Sequence, residues 1–336
     1  MSNARVRRQH GFTLVEVMVS ITVGLILLSG VISIFVSNKT AYRLQESTNV
    51  LDENARFALN QIQYHLRMGD HWGGVEAENI DIDAPLAALP IAASTCAQSK
   101  AVSTVGFFAL EGAATSPLNC IPNADYKPNT DILIVRYAGP ERTISASVLA
   151  TDVYLRAKVG AAARIFKGNN LASLPSDIYE TPDPSDEANY HYVTVIYFIR
   201  KCASQDRGAG GVCDAADDTI PTLARLVLQG TALVQEDVVA GVEQLQASFG
   251  KLTDANPPQT QYFNATTVTT NNDWPKVVNV QVSLIVRGTE IDVARPLDNK
   301  TYALYGGFSY TPAVADQQYA RKQYNFAVQI RNMTRG

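Results

Sequence analysis

The sequence predicts an α+β protein: one long N-terminal helix, apolar in its first half and amphipathic in its second, packed on an antiparallel β-rich soluble domain. Three observations carry this expectation. Residues Phe12 to Val36 form an apolar run with a single charge, Glu16, and no proline. Residues Ser37 to Met68 then continue without Gly or Pro. Beyond residue 75 the chain breaks into short β-type runs separated by turn residues.

The apolar run exceeds the roughly 18 residues that a helix needs to span a bilayer. Arg5, Arg7 and Arg8 precede it without any acid, and most of the polypeptide follows it, which predicts an N-in, C-out orientation. A secretory signal normally has a shorter apolar region that ends in a small-residue cleavage site and is discarded. Here the run flows directly into a second helical pattern, so an anchor that stays attached is expected. In that second half Leu44, Leu51, Ala55, Ala58, Ile62 and Leu66 recur at helical spacing and share one face. Gly69, just after Arg67 and Met68, is the expected stop, with a cation near the negative end of the helix. Phe12 to Met68 as one helix would be roughly 85 Å long. The division expected is residues 1–11, 12–36, 37–68 and 69–336.

In the remainder, the clearest strand candidates are Val105–Leu110, Asp131–Tyr137, Ser145–Leu155, Tyr190–Arg200, Leu223–Gln229, Lys276–Val286 and Tyr324–Ile330. Val277 to Leu284 alternates as a strand with one buried face does. Val238–Phe249 suits either a strand or a short helix running into one. The Pro- and Asp-rich stretches 175–189 and 254–260 are expected loops. No internal repeat is present.

The chain of 336 residues is 46% hydrophobic and 18% charged, a globular composition. Its net charge is −4, and the body without the three leader arginines is more acidic still. That balance argues against broad nucleic-acid binding, which needs a basic face to release phosphate counterions. Cys96, Cys120, Cys202 and Cys213 lie downstream of the apolar segment without zinc-type spacing. In an exported chain an even count suggests disulfides. Three connectivities are open; the sequential pairs Cys96–Cys120 and Cys202–Cys213 are favoured because each closes a polar, loop-like stretch, and four buried thiols are the alternative.

Catalytic motifs are absent: no HExxH, GxSxG or P-loop occurs. His65 and His71 flank Asp70 as a partial metal site, although a cation at a helix C-terminus needs no metal. Asp81 with Asp83, and Asp214 with Asp217 and Asp218, are candidate calcium ligands that lack the EF-hand spacing. The expectation is no enzyme, no cofactor and no bound metal. Tyr319 to Gly336 carries Arg321, Lys322, Arg331 and Arg335 with no acid, which suits either a polar strand face or a local contact with nucleic acid or an acidic partner.

Glu16 has a physical reading of its own. A carboxylate inside an apolar run costs a few kcal/mol at the bilayer centre, so it either snorkels to the interface or pairs with a cation. Ser20 with Gly24, and Ser29 with Ser33, are small residues at helical spacing that would allow close helix approach.

Gly11-Phe12-Thr13-Leu14-Val15-Glu16-Val17-Met18-Val19-Ser20 resembles the processing site of type IV prepilins. The resemblance implies a pilin-like fold, cleavage of a basic leader (residues 1–11) by a prepilin peptidase between Gly11 and Phe12, and methylation of the new Phe12 amine. It also implies that Glu16 engages the N-terminus of a neighbouring subunit during assembly. Asp52-Glu53-Asn54-Ala55-Arg56-Phe57-Ala58-Leu59, then Leu66-Arg67-Met68-Gly69 and Trp72-Gly73, resembles the PilW family of minor pilins. Two departures stand out: Met68-Gly69-Asp70 replaces the usual Ala-Gly-Tyr step, and Gly74 lies near the place of a usual Cys. Weaker echoes occur at Gly241–Gln246 with Phe249-Gly250, Val278–Arg287 and Tyr324–Asn332. The resemblance implies a minor pilin of a tip or priming complex in the inner membrane, with its soluble domain in the periplasm until it enters a filament. Its implied partners are other minor pilins, the major pilin, the prepilin peptidase, the inner-membrane assembly platform and a tip adhesin. A J-type minor pseudopilin of a type II secretion system shares the prepilin signal, and a membrane-anchored periplasmic enzyme or ligand-binding protein is the alternative of another class.

Overall fold

The computed structural model describes residues 11–83, 86, 102–174, 189–204, 211–253, 255–291 and 295–330. The chain divides into two compact units, Met1–Asn49 and Val50–Gly336. Helix α1 runs over Leu14–Met68, two residues shorter at its start than expected because Thr13 caps it. In the first unit its side chains are almost all exposed.

In the second unit α1 joins a β-rich body. The first sheet contains β1 (Ile80–Ile82), β2 (Phe107–Leu110), β3 (Ile132–Thr143), β4 (Val153–Lys158), β5 (Ala162–Lys167), β6 (Asn189–Arg200), β7 (Thr222–Gln229) and β8 (Ala232–Ala240). Its order is β1-β5-β4-β6-β3-β2, with β7 on β6 and β8 on β7; only the β1–β5 pair is parallel. The second sheet is antiparallel, in the order β10 (Thr260–Phe263), β9 (Val242–Leu252), β11 (Val277–Ile291) and β14 (Tyr319–Gln329). A short helix α2 (Ala265–Thr270) and the pair β12 (Tyr302–Ala303) and β13 (Ser309–Tyr310) complete the described elements.

The strand expectations hold with two corrections. Ser145–Leu155 is not one strand: a 3-10 turn at Ser145–Ser147 precedes β4, which starts at Val153. Beyond that turn the Tyr154 hydroxyl accepts the Leu149 N–H, and the expected run is broken between them. Val238–Phe249 contains no helix. Gly241, at φ +91°, turns β8 into β9, and a Cβ at this position would meet the Arg287 carbonyl at 2.5 Å. Strands β1, β5, β8 and β10 and helix α2 were not expected.

The main core unites three layers. Leu51, Ala55, Ala58, Ile62 and Leu66 of α1 pack with Val135, Tyr197 and Ile199 of the first sheet and Leu245, Val282 and Leu284 of the second in one buried cluster. Leu44, expected on the same face, is exposed. Strand β3 is buried on both faces, since Ile132 and Ile134 pack with Ile121 and Tyr126 on the side away from α1. This explains why its sequence is a continuous apolar run and not an alternation.

Asp131 ties the sheets together. Its backbone N–H donates to the Leu245 carbonyl at 2.9 Å. Its carboxylate accepts the Gly112 N–H at 2.8 Å and the Ala247 N–H at 2.8 Å. Burial pushes this carboxyl up to about 7, against those two donors. Asp131→Ala strands two buried N–H groups, so in the full chain in detergent we expect a loss of unfolding free energy of about 1–3 kcal/mol for each. A urea titration at fixed pH measures it.

Candidate assembly site

At its N-terminus α1 opens with a reciprocal cap. The Glu16 N–H donates to Thr13 Oγ1 at 3.3 Å, while Glu16 Oε2 accepts the Thr13 N–H and hydroxyl, both at 3.2 Å. This is a capping box, in which a Thr and a Glu three residues later satisfy orphan donors of the first turn. Glu16 also lies where the helix dipole favours an anion. Thr13 and Glu16 announce the box in the sequence, but the apolar context drew attention to the charge alone. Gly11 and Phe12 precede the helix and are exposed, and a Cβ at Gly11 would meet nothing within 4 Å. Among the described residues no contact therefore requires glycine there.

The segment that follows is long and apolar enough to cross a membrane. Its hydroxyls turn back on the helix: Ser20 Oγ donates to the Glu16 carbonyl at 2.7 Å and Ser29 Oγ to the Ile26 carbonyl at 2.9 Å. Such back-bonding satisfies polar groups on an apolar surface.

Polar contacts in the second unit set the register of α1. Asp52 accepts Lys322 Nζ at 2.6 Å and also the Tyr324 hydroxyl, and these partners hold its carboxyl below the usual range. Asn54 Nδ2 donates to the Ala240 carbonyl at 3.3 Å, and Arg225 Nη1 to Gln61 Oε1 at 3.1 Å. His65 Nδ1 lies 2.9 Å from the Tyr137 hydroxyl. Burial, then the Arg225 charge, lowers the His65 pKa to about 4. It is thus a neutral core group and not the helix-end cation expected.

Gly69 does not end α1 alone. Asp70 takes φ +63°, and its N–H donates to the Arg136 carbonyl at 3.0 Å. Asp70 Oδ1 accepts the Trp72 indole N–H at 2.8 Å, and Trp72 stacks on Tyr192. A Cβ at Gly106 would come within 2.4 Å of Asp70 Cα, so this close approach needs glycine.

The candidate ion sites have other partners. Asp81 pairs with Arg164 at 3.0 Å, and Asp83 accepts Asn170 Nδ2 at 2.9 Å. Asp214, Asp217 and Asp218 accept backbone N–H groups of their own loop and of Ala203. Among the described residues no cluster of three or more His, Cys, Asp or Glu is placed to hold a metal. The basic C-terminal stretch is not an open patch where it is described. Arg321 is buried on Glu243, with Nε to Oε2 at 2.6 Å, and Lys322 pairs with Asp52. Burial opposes ionisation of Glu243, but the bond and charge of Arg321 hold its carboxyl below the usual range. Arg331 and Arg335 lie outside the described residues.

Cys202 and Cys213 form a disulfide, as favoured from the sequence. Asp125 accepts the Cys213 N–H at 2.7 Å and Arg200 Nε donates to the Cys202 carbonyl at 2.7 Å, fixing both ends of the loop. Cys120 is disulfide-bonded, while Cys96 lies outside the described residues.

An exposed apolar helix with a capped acidic start, continuing into a face buried on a β-rich body, defines an α+β protein with a long N-terminal helix. The family model described as type IV pilus-assembly protein W matches residues 196–332, and that of the prokaryotic N-terminal methylation motif matches residues 6–32. Each match spans less than half of the chain; together they make it similar to PilW-family, prepilin-like minor pilins and support a role in type IV pilus assembly. Such proteins interact with other pilus components and, through the methylation motif, with a prepilin peptidase; their domains are structural. Among solved structures, a type IV-like pilin from Thermus thermophilus aligns with 68% of this chain and 85% of its own at 11% identity, with a TM-score of 0.28. No curated protein matches the chain.

The buried imidazole predicts acid sensitivity. The folded-state pKa of about 4 lies below the ordinary 6.5, so His65 favours folding fully above pH 6.5. That contribution is lost as pH falls from 6.5 towards 4. Asp131 acts in the opposite sense, because a raised carboxyl pKa favours the folded state as pH falls. Melting temperatures of wild type and His65→Gln between pH 7.5 and 4 should therefore converge on acidification, a change of roughly 2–3 kcal/mol in their stability difference.

Proposed function

We propose that a prepilin peptidase cuts this chain between Gly11 and Phe12, and that the mature subunit enters a tip or priming complex by packing α1 against other pilins. Before assembly the basic leader faces the cytoplasm and the β-rich unit faces the periplasm, anchored in the inner membrane by the segment after Phe12. The minor pilins and the major pilin are its neighbours, and the assembly platform delivers it. A tip adhesin is the cargo such a complex presents. The match over residues 196–332 to a pilus-assembly family favours a pilus over a secretion-system pseudopilin.

The observation that carries this reading is the start of α1. Among the described residues no contact calls for glycine at position 11, which leaves it open to an external reader such as a processing enzyme. Glu16 uses Oε2 for the cap, leaving Oε1 for a further donor. An ammonium group at Phe12 of a neighbouring subunit fits that oxygen, and methylation keeps its charge.

Two variants test the reading. Gly11→Val should accumulate as a precursor that migrates more slowly on a gel than the mature chain; normal maturation would sink the proposal. Glu16→Gln keeps a capping acceptor at the third helical position while removing the charge. Cleavage should remain intact and the amount in sheared filaments should fall about ten-fold or more, as for loss of an apolar-site ion pair. Unchanged incorporation would assign Glu16 to capping alone.

A further inference from the structure

At one end of the second unit, two loops turn their acids inward and their apolar side chains outward. Buried Glu243 holds Arg321, with Nε to Oε2 at 2.6 Å, and Arg287 at 3.6 Å. Asp316 reaches Arg287 at 3.2 Å and Asp298 reaches Arg321 at 3.7 Å, so both loop acids are engaged within the fold. The outward side is left to Ile291, Leu297 and Val314, which are 51%, 57% and 82% exposed. Backbone contacts gather these three. Ile291 pairs with Tyr319 across β11 and β14, the Asp298 N–H donates to the Gln317 carbonyl at 2.8 Å, and the Gln317 N–H to the Val314 carbonyl at 3.5 Å. Pro296, Ala313 and Ala315 beside them are exposed as well. One exposed Leu needs no explanation, but a group of apolar side chains with its acids turned away marks a contact surface.

The strands give the position of this patch. Lys322 and Tyr324 of β14 meet Asp52 of α1, and Val286, opposite Lys322, also pairs with Val242 at the start of β9. At the far end of β9, Phe249 packs on Phe107, whose partner Val135 adjoins Gly69. Strands β9 and β14 therefore run the same way as α1 does in this unit, and the start of β14 points back past Asp52. At about 3.3 Å per strand residue Tyr319 stands about 10 Å beyond Lys322, whereas Val50 is only about 3 Å from Asp52 along the helix. The patch thus projects from the end at which the chain enters the unit.

We propose that Ile291, Leu297 and Val314 rest on the surface of the bilayer that holds the anchor of the unassembled chain. This rests on the membrane-anchored reading above. Residues 37–49, between the apolar run and the unit, are helical and reach only roughly 20 Å, so the bilayer stays close to the end from which the patch projects. A tethered surface meets its target at high effective concentration, so a few apolar contacts suffice. Aliphatic side chains of this kind enter the boundary between headgroups and acyl chains, as the apolar faces of interfacial helices do. Glu290 and Lys300 are both exposed nearby, so no single sign of charge dominates and the contact does not depend on anionic lipid. A filament offers no bilayer, so the contact belongs to the chain before assembly.

The test uses the full chain in phosphatidylcholine nanodiscs, with a nitroxide on one introduced cysteine at a time. Among the described residues no free thiol competes for the label. Labels on Leu297→Cys and on Val314→Cys should collide with oxygen, relative to a water-soluble nickel chelate, about three-fold or more above a label on Val159→Cys at the exposed β4–β5 turn. Equal ratios at the three positions overturn the proposal. A rise seen only in discs that hold two copies assigns the patch to a second protein and overturns it too. Adding Leu297→Asp to the Val314→Cys chain should return the ratio to the Val159 value with the melting temperature unchanged; an undiminished ratio also overturns it. A label on Leu25→Cys separates the two readings. If that position is in water, the anchored reading fails first; if it is in lipid and only positions 297 and 314 are in water, the surface contact alone fails.

Discussion

Burial of one face of α1 against two sheets at once is the constraint on which the second unit depends. Ala55 and Ala58 are fully buried, and their small side chains bring the helix backbone close to the strands. Ile62 and Leu66 then reach residues of β3, β6, β9 and β11 in one core. The sheets share this helix face, pack directly through Phe107 on Phe249, and are tied by Asp131, whose carboxylate spans from the Gly112 loop to β9. Overpacking a core position by a few methylenes costs about 1–3 kcal/mol, so alanines at such a junction are poor places for larger residues.

Around that core, charges act as local fasteners. Glu243 on β9 is shared by Arg321 of β14 and Arg287 of β11, and Asp316 and Asp298 from the preceding loops complete the set. Arg287 also lies over the Tyr319 ring at 4.1 Å, an arrangement in which a guanidinium gains from the ring quadrupole. Removing one member of such a buried group leaves an uncompensated charge, which is why it holds a loop firmly even where its net contribution is small. The Cys202–Cys213 loop is clamped by Asp125 and by the Arg200 ion pair with Asp237.

The two halves of α1 obey different solvents. Between Leu14 and Val36 the Ser20, Thr22 and Ser29 hydroxyls donate to the helix's own carbonyls, as a lipid or helix-packed environment demands. From Leu51 onwards Asp52, Asn54, Gln61 and His65 are all bonded to the sheets, and the amphipathic pattern has a protein surface to meet. One continuous helix thus carries both a segment apolar enough to cross a membrane and a face buried on the β-rich unit.

By itself the sequence determined what local pattern controls. The apolar run, the amphipathic continuation and most strands follow from periodicity, because side-chain burial in helices and strands repeats at 3.6 and 2 residues. The Cys202–Cys213 pair was favoured among three connectivities because it closes a polar, loop-like stretch, and it forms. Only tertiary structure decided the roles of isolated polar residues. His65 is neutral because Tyr137 and the surrounding sheet desolvate it; Arg321 is a buried partner of a glutamate 78 positions away, not part of a basic surface. The end of α1 at Asp70 and the turn at Gly241 depend on Gly106, Arg136 and Arg287, which are distant in sequence. Periodicity records which face of an element is buried, but a single charge is interpreted by what the fold places beside it.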